Sequence, residues 1–246
     1  MKTTGNTIFM TGGTSGIGLE LARRFRDLGN TVIISGRRQE LLDTIAAEDG
    51  IEGVTLDVAD PASIAAAFDQ VTSRYDVNVL ITMAGIMLPE DLRDPKHVAT
   101  AEQTIDINLL GTIRTIAAFV PYLLKQRDPA ILTVSSGLAS VPLTITPTYS
   151  ATKAAIHSYT QSLRIQLAGT GLQVIEVVPP AVRTTLLNQK NDERAMPLDE
   201  YLDETMRLLQ DQPAAEEILV DRVRFLRHAE REGRYDDVVA ALNLPH

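Results

Sequence analysis

The apolar residues of this chain fall into short continuous runs that alternate with stretches of helical periodicity. Residues 6–10, 31–35, 54–58, 77–83, 130–134 and 172–178 read as strands. Most lack the apolar–polar alternation of a half-exposed strand, which suits strands covered on both faces. Between the first two, residues 19–28 set Leu19, Ala22, Phe25 and Leu28 apart from Arg23, Arg24, Arg26 and Asp27 in helical spacing. Helices are also predicted over 39–48, 100–124 and 149–167, and after Asp60-Pro61, where an N-cap residue precedes a proline at the first helical position. Residues 197–210 and 214–231 predict two more, and a short one follows Gly233-Arg234-Tyr235. Strand and helix repeating at this spacing predict an α/β fold, a single-domain doubly wound parallel sheet with helices on both faces. The whole of 1–246 reads as one domain, with 190–246 a helical lid and C-terminal extension.

Composition narrows the class without naming a chemistry. With 246 residues, 44% hydrophobic and 22% charged, the chain has material for a sizeable core. No apolar stretch approaches 18 residues, so no membrane span is expected. Residues 1–5 run straight into the first strand and leave no room for an export signal, so a cytoplasmic location is expected. Cysteine is absent, which excludes disulfides and thiolate metal sites. His97, His157, His228 and His246 are scattered, so no metal site is expected. A net charge of −9 argues against non-specific nucleic-acid binding. Arg222, Arg224, Arg227 and Arg231 are interleaved with Asp221 and Glu230 and read as a solvated helix face.

Two motifs carry the candidate chemistry. The first predicted strand enters Thr11-Gly12-Gly13-Thr14-Ser15-Gly16-Ile17-Gly18, which opens a helix. Backbone N–H groups and the positive end of a helix dipole in such a turn face a pyrophosphate, and glycine lets the backbone come close. The spacing is G-x-x-x-G-x-G, not G-x-G-x-x-G, and taken alone the loop leaves a tight turn as the lesser alternative. The second motif is Tyr149-x-x-x-Lys153, with Ser136 thirteen residues earlier at the end of a strand. Residues four apart share a helix face. A free phenol titrates near 10, a fixed positive charge lowers that value, and acid–base catalysis needs such a match to the operating pH. An isolated Y-x-x-x-K is an ordinary helix tyrosine beside a surface lysine; the glycine-rich turn removes most of the weight of that alternative.

In order and spacing, T-G-G-T-S-G-I-G (11–18), Asp57-Val58, Ala84-Gly85, Asn108, Ser136 and Y-S-A-T-K (149–153) resemble the short-chain dehydrogenase/reductase family over roughly residues 5 to 190. The resemblance implies a Rossmann-like fold and an oxidoreductase that moves hydride between a nicotinamide and a carbonyl or secondary alcohol. It makes Tyr149 the acid–base group. Lys153 becomes the residue that bonds the nicotinamide ribose and lowers the tyrosine pKa. Ser136 holds the substrate oxygen, a role for a donor aimed at developing charge. Its neighbour Ser135 should face the other way, because adjacent strand residues alternate. Asn108 would fix a water in a proton relay from Lys153; the alternative is an asparagine bonding backbone inside a helix. The implied cofactor contacts are Gly12, Thr14, Ser15, Gly16, Ile17 and Gly18 at the phosphates and Asp57 and Val58 at the adenine. Ala84, Gly85, Tyr149, Lys153, Pro179, Val182 and Thr184 complete the set toward the nicotinamide.

Cofactor choice is argued from the end of the second strand, where enzymes using NAD place a carboxylate and those using NADP an arginine. Ser35-Gly36-Arg37-Arg38 has no acid there. A guanidinium suits bidentate phosphate recognition, so NADP(H) is expected over NAD(H), with Arg37 the main contact and Ser35 and Arg38 helpers. Either arginine could instead be a surface residue at the start of the next helix.

Two stretches depart from the family pattern. Thr82-Met83-Ala84-Gly85 replaces Asn-Asn-Ala-Gly, which predicts altered bracing between strands without loss of activity. Pro179-Pro180-Ala181-Val182-Arg183-Thr184 replaces Pro-Gly, and proline removes both an N–H donor and backbone freedom. The Pro-Pro pair resembles a subgroup labelled as D-alanylation-linked oxidoreductases. Leu138, Val141, Leu143 and Ile145, with Ile86, Met87, Leu88, Leu186 and Leu187, offer an apolar wall for a small-molecule carbonyl. Arg183 would pair with an acidic substrate or face solvent, and 197–210 would act as a lid. The resemblance also implies a homo-dimer or homo-tetramer through helices 100–124 and 150–168. Ala117, Ala118, Phe119, Ile156, Leu163 and Leu167 suit such an interface or the monomer core equally. The competing functions are an epimerase or dehydratase on the same fold and a non-enzymatic NADP(H)-binding regulator.

Overall fold

A computed structural model describes residues 1–244; His246 and the end of the 190–246 extension lie outside the described residues. Seven parallel strands form one sheet. They are β1 (Thr7–Thr11), β2 (Thr31–Gly36), β3 (Glu52–Thr55), β4 (Val79–Thr82), β5 (Ala130–Val134), β6 (Gln173–Val177) and β7 (Glu217–Ile218). Their spatial order is β3-β2-β1-β4-β5-β6-β7. The order reverses between β1 and β4, and in such sheets ligands bind in the crevice at the carboxyl ends of the strands at that switch.

The helices are α1 (Gly16–Asp27), α2 (Gln39–Asp49), α3 (Pro61–Thr72), α4 (His97–Thr104), α5 (Gly111–Leu123), α6 (Pro147–Gln166), α7 (Leu198–Asp211), α8 (Arg224–Arg227) and α9 (Tyr235–Leu242). The continuous apolar runs have a simple cause, because successive strand residues feed opposite cores. Ile8, Met10, Val32 and Ile34 join Leu21, Phe25, Tyr201, Leu202 and Leu209 from α1 and α7. Phe9, Ile33, Leu80 and Ile131 join Ile64, Ile116 and Phe119 from α3 and α5. Phe9 stacks on Phe119 with ring centroids 5.1 Å apart. Phe119 and Ile156 are therefore buried in the monomer core, while Ala117 stays exposed.

The doubly wound parallel sheet is as expected; three local features differ. The third strand is Glu52–Thr55, so Asp57 and Val58 lie in the turn before α3 and not in the strand. The helix expected over 100–124 is two helices joined by a π-helical stretch, Ile105–Leu110. The continuous helix expected over 214–231 is replaced by β7, a 3-10 turn (Asp221–Val223) and the short α8. Its first part is drawn into the sheet by β6, whose Glu176 N–H donates to the Glu216 carbonyl at 2.9 Å and whose register pairs Val177 with Ile218. Helix α7 starts at Leu198, and its apolar face packs into the same core as α1. Arg24 of α1 pairs with Asp199 and Asp203 of α7, both at 3.0 Å.

Candidate active site

The glycine-rich turn sits at the switch point, at the carboxyl end of β1. Gly12 has φ +70°, a left-handed conformation that glycine adopts without strain. A Cβ there would lie 2.7 Å from the Cα and N of Ala84, so the β1–α1 turn and the end of β4 interlock through the missing side chain. Ser15 is the N-cap of α1 with extended backbone and no side-chain cap bond, and the first turn of α1 carries no acid. Gly16 lies beside Thr184, and Thr14 packs on Gly36 at the end of β2. Gly18 closes the turn against Gly12, and Ile17 packs against the core shared with α7. Open N–H groups on a 12-residue helix, next to close-approach glycines, make an anion cradle.

Beyond β2, Arg37 and Arg38 are exposed and make no ion pair or side-chain hydrogen bond among the described residues. The buried Ser35 hydroxyl beside them also has no partner there. Asp57 accepts the Ala59 N–H on Oδ1 at 3.0 Å. Val58 packs against Gly111. At the end of β4 the Thr11 hydroxyl accepts the N–H groups of both Met83 and Ala84, each at 3.2 Å. Thr82 donates toward the Leu132 carbonyl at 3.5 Å, a link to β5 that takes the place of asparagine bracing.

Ser136, Tyr149 and Lys153 converge at the carboxyl end of β5. Ser136 caps the 3-10 turn Gly137–Ala139 and accepts the Leu138 N–H at 3.1 Å. Tyr149 and Lys153 lie on the face of α6 turned to the sheet and are 8% and 5% exposed. Burial pushes the phenol up to about 12, against the opposing pull of the nearby Ser136 hydroxyl. Burial likewise pushes Lys153 down to about 8, opposed by the negative charge of Glu176. The ammonium lies 5.5 Å from the centre of the Tyr149 ring and donates to the Val134 carbonyl at 2.8 Å. Lys153 thus does not hold the phenol pKa down in this structure, because its charge is turned to the β5 backbone and desolvation dominates.

Asn108 stands in the π-helical stretch, 0% exposed. Its side chain accepts from Ile86 N–H and donates to the Ile86 carbonyl, both at 2.8 Å, and reaches the Thr152 hydroxyl at 3.4 Å. The amide therefore braces the Gly85–Ile86 loop against α6 instead of reaching toward Lys153. The Pro179 carbonyl accepts Gly137 N–H at 2.9 Å, and Val182 bridges to Met196. Arg183 is half-buried and engaged with backbone carbonyls. Its guanidinium donates to the carbonyls of Asp192, Glu193 and Ala195 at 3.1–3.2 Å and ties down the segment before α7. Thr184 is buried and accepts Leu186 N–H at 3.3 Å.

The C-terminal segment closes over the Ser136–Tyr149 connection. Val141 joins Ala229 and Val238 in a small third core. A Cβ on Gly137 would meet Leu226 Cδ1 at 2.7 Å and Val223 Cγ2 at 3.0 Å. Asn243 accepts Thr144 N–H at 2.7 Å and donates to the Pro142 carbonyl at 3.1 Å. At the other end, Glu90 caps α6 by accepting from Thr148 N–H and hydroxyl at 3.0 and 2.7 Å. Neither clamp was foreseen, since each joins residues far apart in sequence.

Arg227, expected on a solvated face, is partly buried and bound to Glu217 and His157. His157, Glu176 and Glu217 bring their ligand atoms within 4.8 Å of one another. Glu176, a single acid inside the apolar run Val174-Ile175-Glu176-Val177-Val178, was the available signal.

Fold, turn and site together define a nicotinamide-type dehydrogenase fold, and comparison makes the assignment specific. The short chain dehydrogenase family model matches residues 6–195. The Bacillus subtilis oxidoreductase DltE, itself uncharacterised, is 38% identical over 99% of this chain and 98% of its own. Sulfoacetaldehyde reductase 2 of Chromohalobacter salexigens is 31% identical over 76% of this chain and 78% of its own. The crystal structure of a short chain dehydrogenase from Burkholderia cenocepacia in complex with NADP superimposes with TM-score 0.83 at 26% identity, covering 100% of both chains. The chain belongs to the short-chain dehydrogenase/reductase family and is a dehydrogenase/reductase enzyme. Among the described residues no helix is long and apolar enough to cross a membrane.

Proposed function

We propose that the protein is an NADP(H)-dependent reductase of small carbonyl compounds, with Tyr149 as its proton donor. The observation that carries this reading is the convergence of Ser136, Tyr149 and Lys153 beside the switch-point crevice, with Tyr149 and Lys153 both buried and the ammonium 5.5 Å from the centre of the phenol ring. The bound nicotinamide would supply or take up hydride at the substrate carbon. Gly12, Thr14, Ser15, Gly16, Ile17 and Gly18 would cradle its phosphates, Asp57 and Val58 its adenine, and Ala84, Gly85, Pro179, Val182 and Thr184 its nicotinamide half. The unpaired Arg37 and Arg38 next to an orphan Ser35 hydroxyl fit a 2′-phosphate, and the NADP complex of the Burkholderia relative supports that preference.

On the protein side, Ser136 Oγ orients the substrate oxygen and Tyr149 Oη delivers the proton to it. A phenol held at about 12 is protonated near neutrality, so the site is set for reduction. Lys153, largely charged at pH 7, offsets the negative charge that develops as the proton leaves. Asn108 keeps the Gly85–Ile86 loop and α6 in register. The half-buried Leu138 and Leu143 favour hydrophobic substituents on the carbonyl, while Val141 is taken up by the third core. A cytoplasmic homo-oligomer belongs to the same reading.

The test is oxidation of NADPH and NADH against a panel of aldehydes, ketones and quinones, with Tyr149→Phe alongside. Turnover that disappears in the variant supports the reading. Tight NADPH binding with no turnover on any carbonyl favours a cofactor-sensing regulator.

A further inference from the structure

β6 carries one carboxylate that the proposed chemistry does not use. Glu176 is 1% exposed, and a charge so deeply placed persists only when partners replace its lost hydration. Its Oε1 accepts from the Ser135 hydroxyl, and its Oε2 lies 2.8 Å from His157 Nδ1. On the other side of the ring, His157 Nε2 lies 3.2 Å from Arg227 Nη2. A guanidinium can only donate, so Nε2 is the acceptor and the ring proton sits on Nδ1, directed at Glu176. Arg227 also grips Glu217, through Nε at 3.0 Å and Nη2 at 2.8 Å. His157, Glu176 and Glu217 are close enough to share a metal ion, but the guanidinium already stands among them as a tethered cation.

The network lies directly beneath the reactive residues. His157 follows Lys153 by one turn of α6, and residues so spaced share a face. The groups around Lys153 are few. Tyr149 and His157 come from α6 itself, the second in its neutral tautomer. The Val134 carbonyl of β5 accepts from Lys153, and Glu176 comes from the neighbouring strand β6, where Thr133 pairs with Glu176 and Val134 with Val177. Glu176 is the one carboxylate among them.

We propose that Glu176, held by Ser135, His157 and the C-terminal Arg227, is a positioning residue for Lys153. It keeps the ammonium charged while Tyr149 donates its proton, and it gives the C-terminal segment a hold on that charge. What the charge is for rests on the proposed reaction; whether Glu176 sets it can be read without turnover.

The chain has five lysines, of which Lys153 is buried and Lys2, Lys96, Lys125 and Lys190 are exposed. Titration of their 13Cε signals by NMR on the nucleotide-free protein therefore isolates Lys153. In the wild type its midpoint is expected near pH 8. Glu176→Gln should move it down by about one unit. Arg227→Met, which removes the cation beyond His157, should move it up. Shifts of opposite sign, with the alkaline limb of the kcat–pH profile following them, would establish the proposal. An unmoved midpoint, or shifts of the same sign, would overturn it. If Glu176→Gln fails to fold, the upward shift in Arg227→Met decides alone, and its absence sinks the idea. Opposite shifts in a protein that reduces no carbonyl would refute the proposed function and leave this inference standing.

Discussion

Ser135 and Ser136, adjacent at the end of β5, send their hydroxyls to opposite sides. The first donates to Glu176, while the second accepts the Leu138 N–H on the side of the Tyr149 phenol. The alternation of the extended backbone thus turns one serine toward Glu176 and the other toward the proposed site.

Substitution should separate them too. Ser136→Ala is expected to lower kcat by roughly 100- to 1,000-fold, the usual cost of losing one donor to developing charge, with the melting temperature nearly unchanged. Ser135→Ala should keep kcat within about threefold and cost about 1–2 kcal/mol of stability, because Glu176 loses a buried donor. Steady-state kinetics and denaturant melts of the pair check both. A reversed pattern would mean the serines have been assigned the wrong way round.

The burial of Lys153 has a signature in stability. Its pKa falls from the ordinary 10.5 to about 8 on folding. Between those values the unfolded chain holds a proton that the folded chain has released, so stability rises with pH across that window. The gain is complete above 10.5 and absent below 8. Tyr149, raised from 10.0 to about 12, acts oppositely only above pH 10. Urea unfolding should therefore show stability climbing from pH 8 to 9.5, and Lys153→Met should flatten the climb. A flat wild-type profile would contradict this account of the site.

Arg37 and Arg38 predict the coenzyme. The double variant Arg37→Ala/Arg38→Ala should weaken NADPH binding about 30-fold or more, since charge-assisted contacts to phosphate are the strong ones. NADH affinity should stay within about twofold. Fluorescence titration of both coenzymes decides, and equal losses for the two would place the 2′-phosphate elsewhere.

Gly12→Ala tests the interlock of the β1–α1 turn with β4. The added Cβ combines a left-handed backbone with 2.7 Å contacts to Ala84 backbone atoms, which no side-chain rotation can relieve. A loss of roughly 3 kcal/mol is expected from the strain and overpacking together. That corresponds to a melting temperature lower by about 10 °C for a chain of this size. A stable variant with intact NADPH binding would show that the turn yields.

The legible part of this protein was local or short-range. Ile8-Phe9-Met10 announced a strand buried on both faces, and Tyr149 with Lys153 announced a helix face. What stayed hidden depended on residues far apart in sequence. Helical spacing over 214–231 lost to the open edge of β6, which recruited Glu217 and Ile218 into the sheet. The role of Arg183, 9 to 12 residues from its carbonyl partners, and that of Asn243, about 100 from Thr144, depend on the chain folding back. The expectation that Lys153 would draw down the Tyr149 pKa failed for another reason. Sharing a helix face says nothing about desolvation, and burial moved the two groups in opposite directions.

The two residues of β7 also matter during synthesis. Until Glu217 and Ile218 arrive, β6 is an unprotected edge with Val174, Ile175, Val177 and Val178 along it, the kind of template on which nascent chains pair with one another. A chaperone that shields this edge, or a slow stretch of translation that delays its exposure, would act at this point more than at any other. The yield of active protein should therefore respond more steeply to expression temperature than its equilibrium stability does.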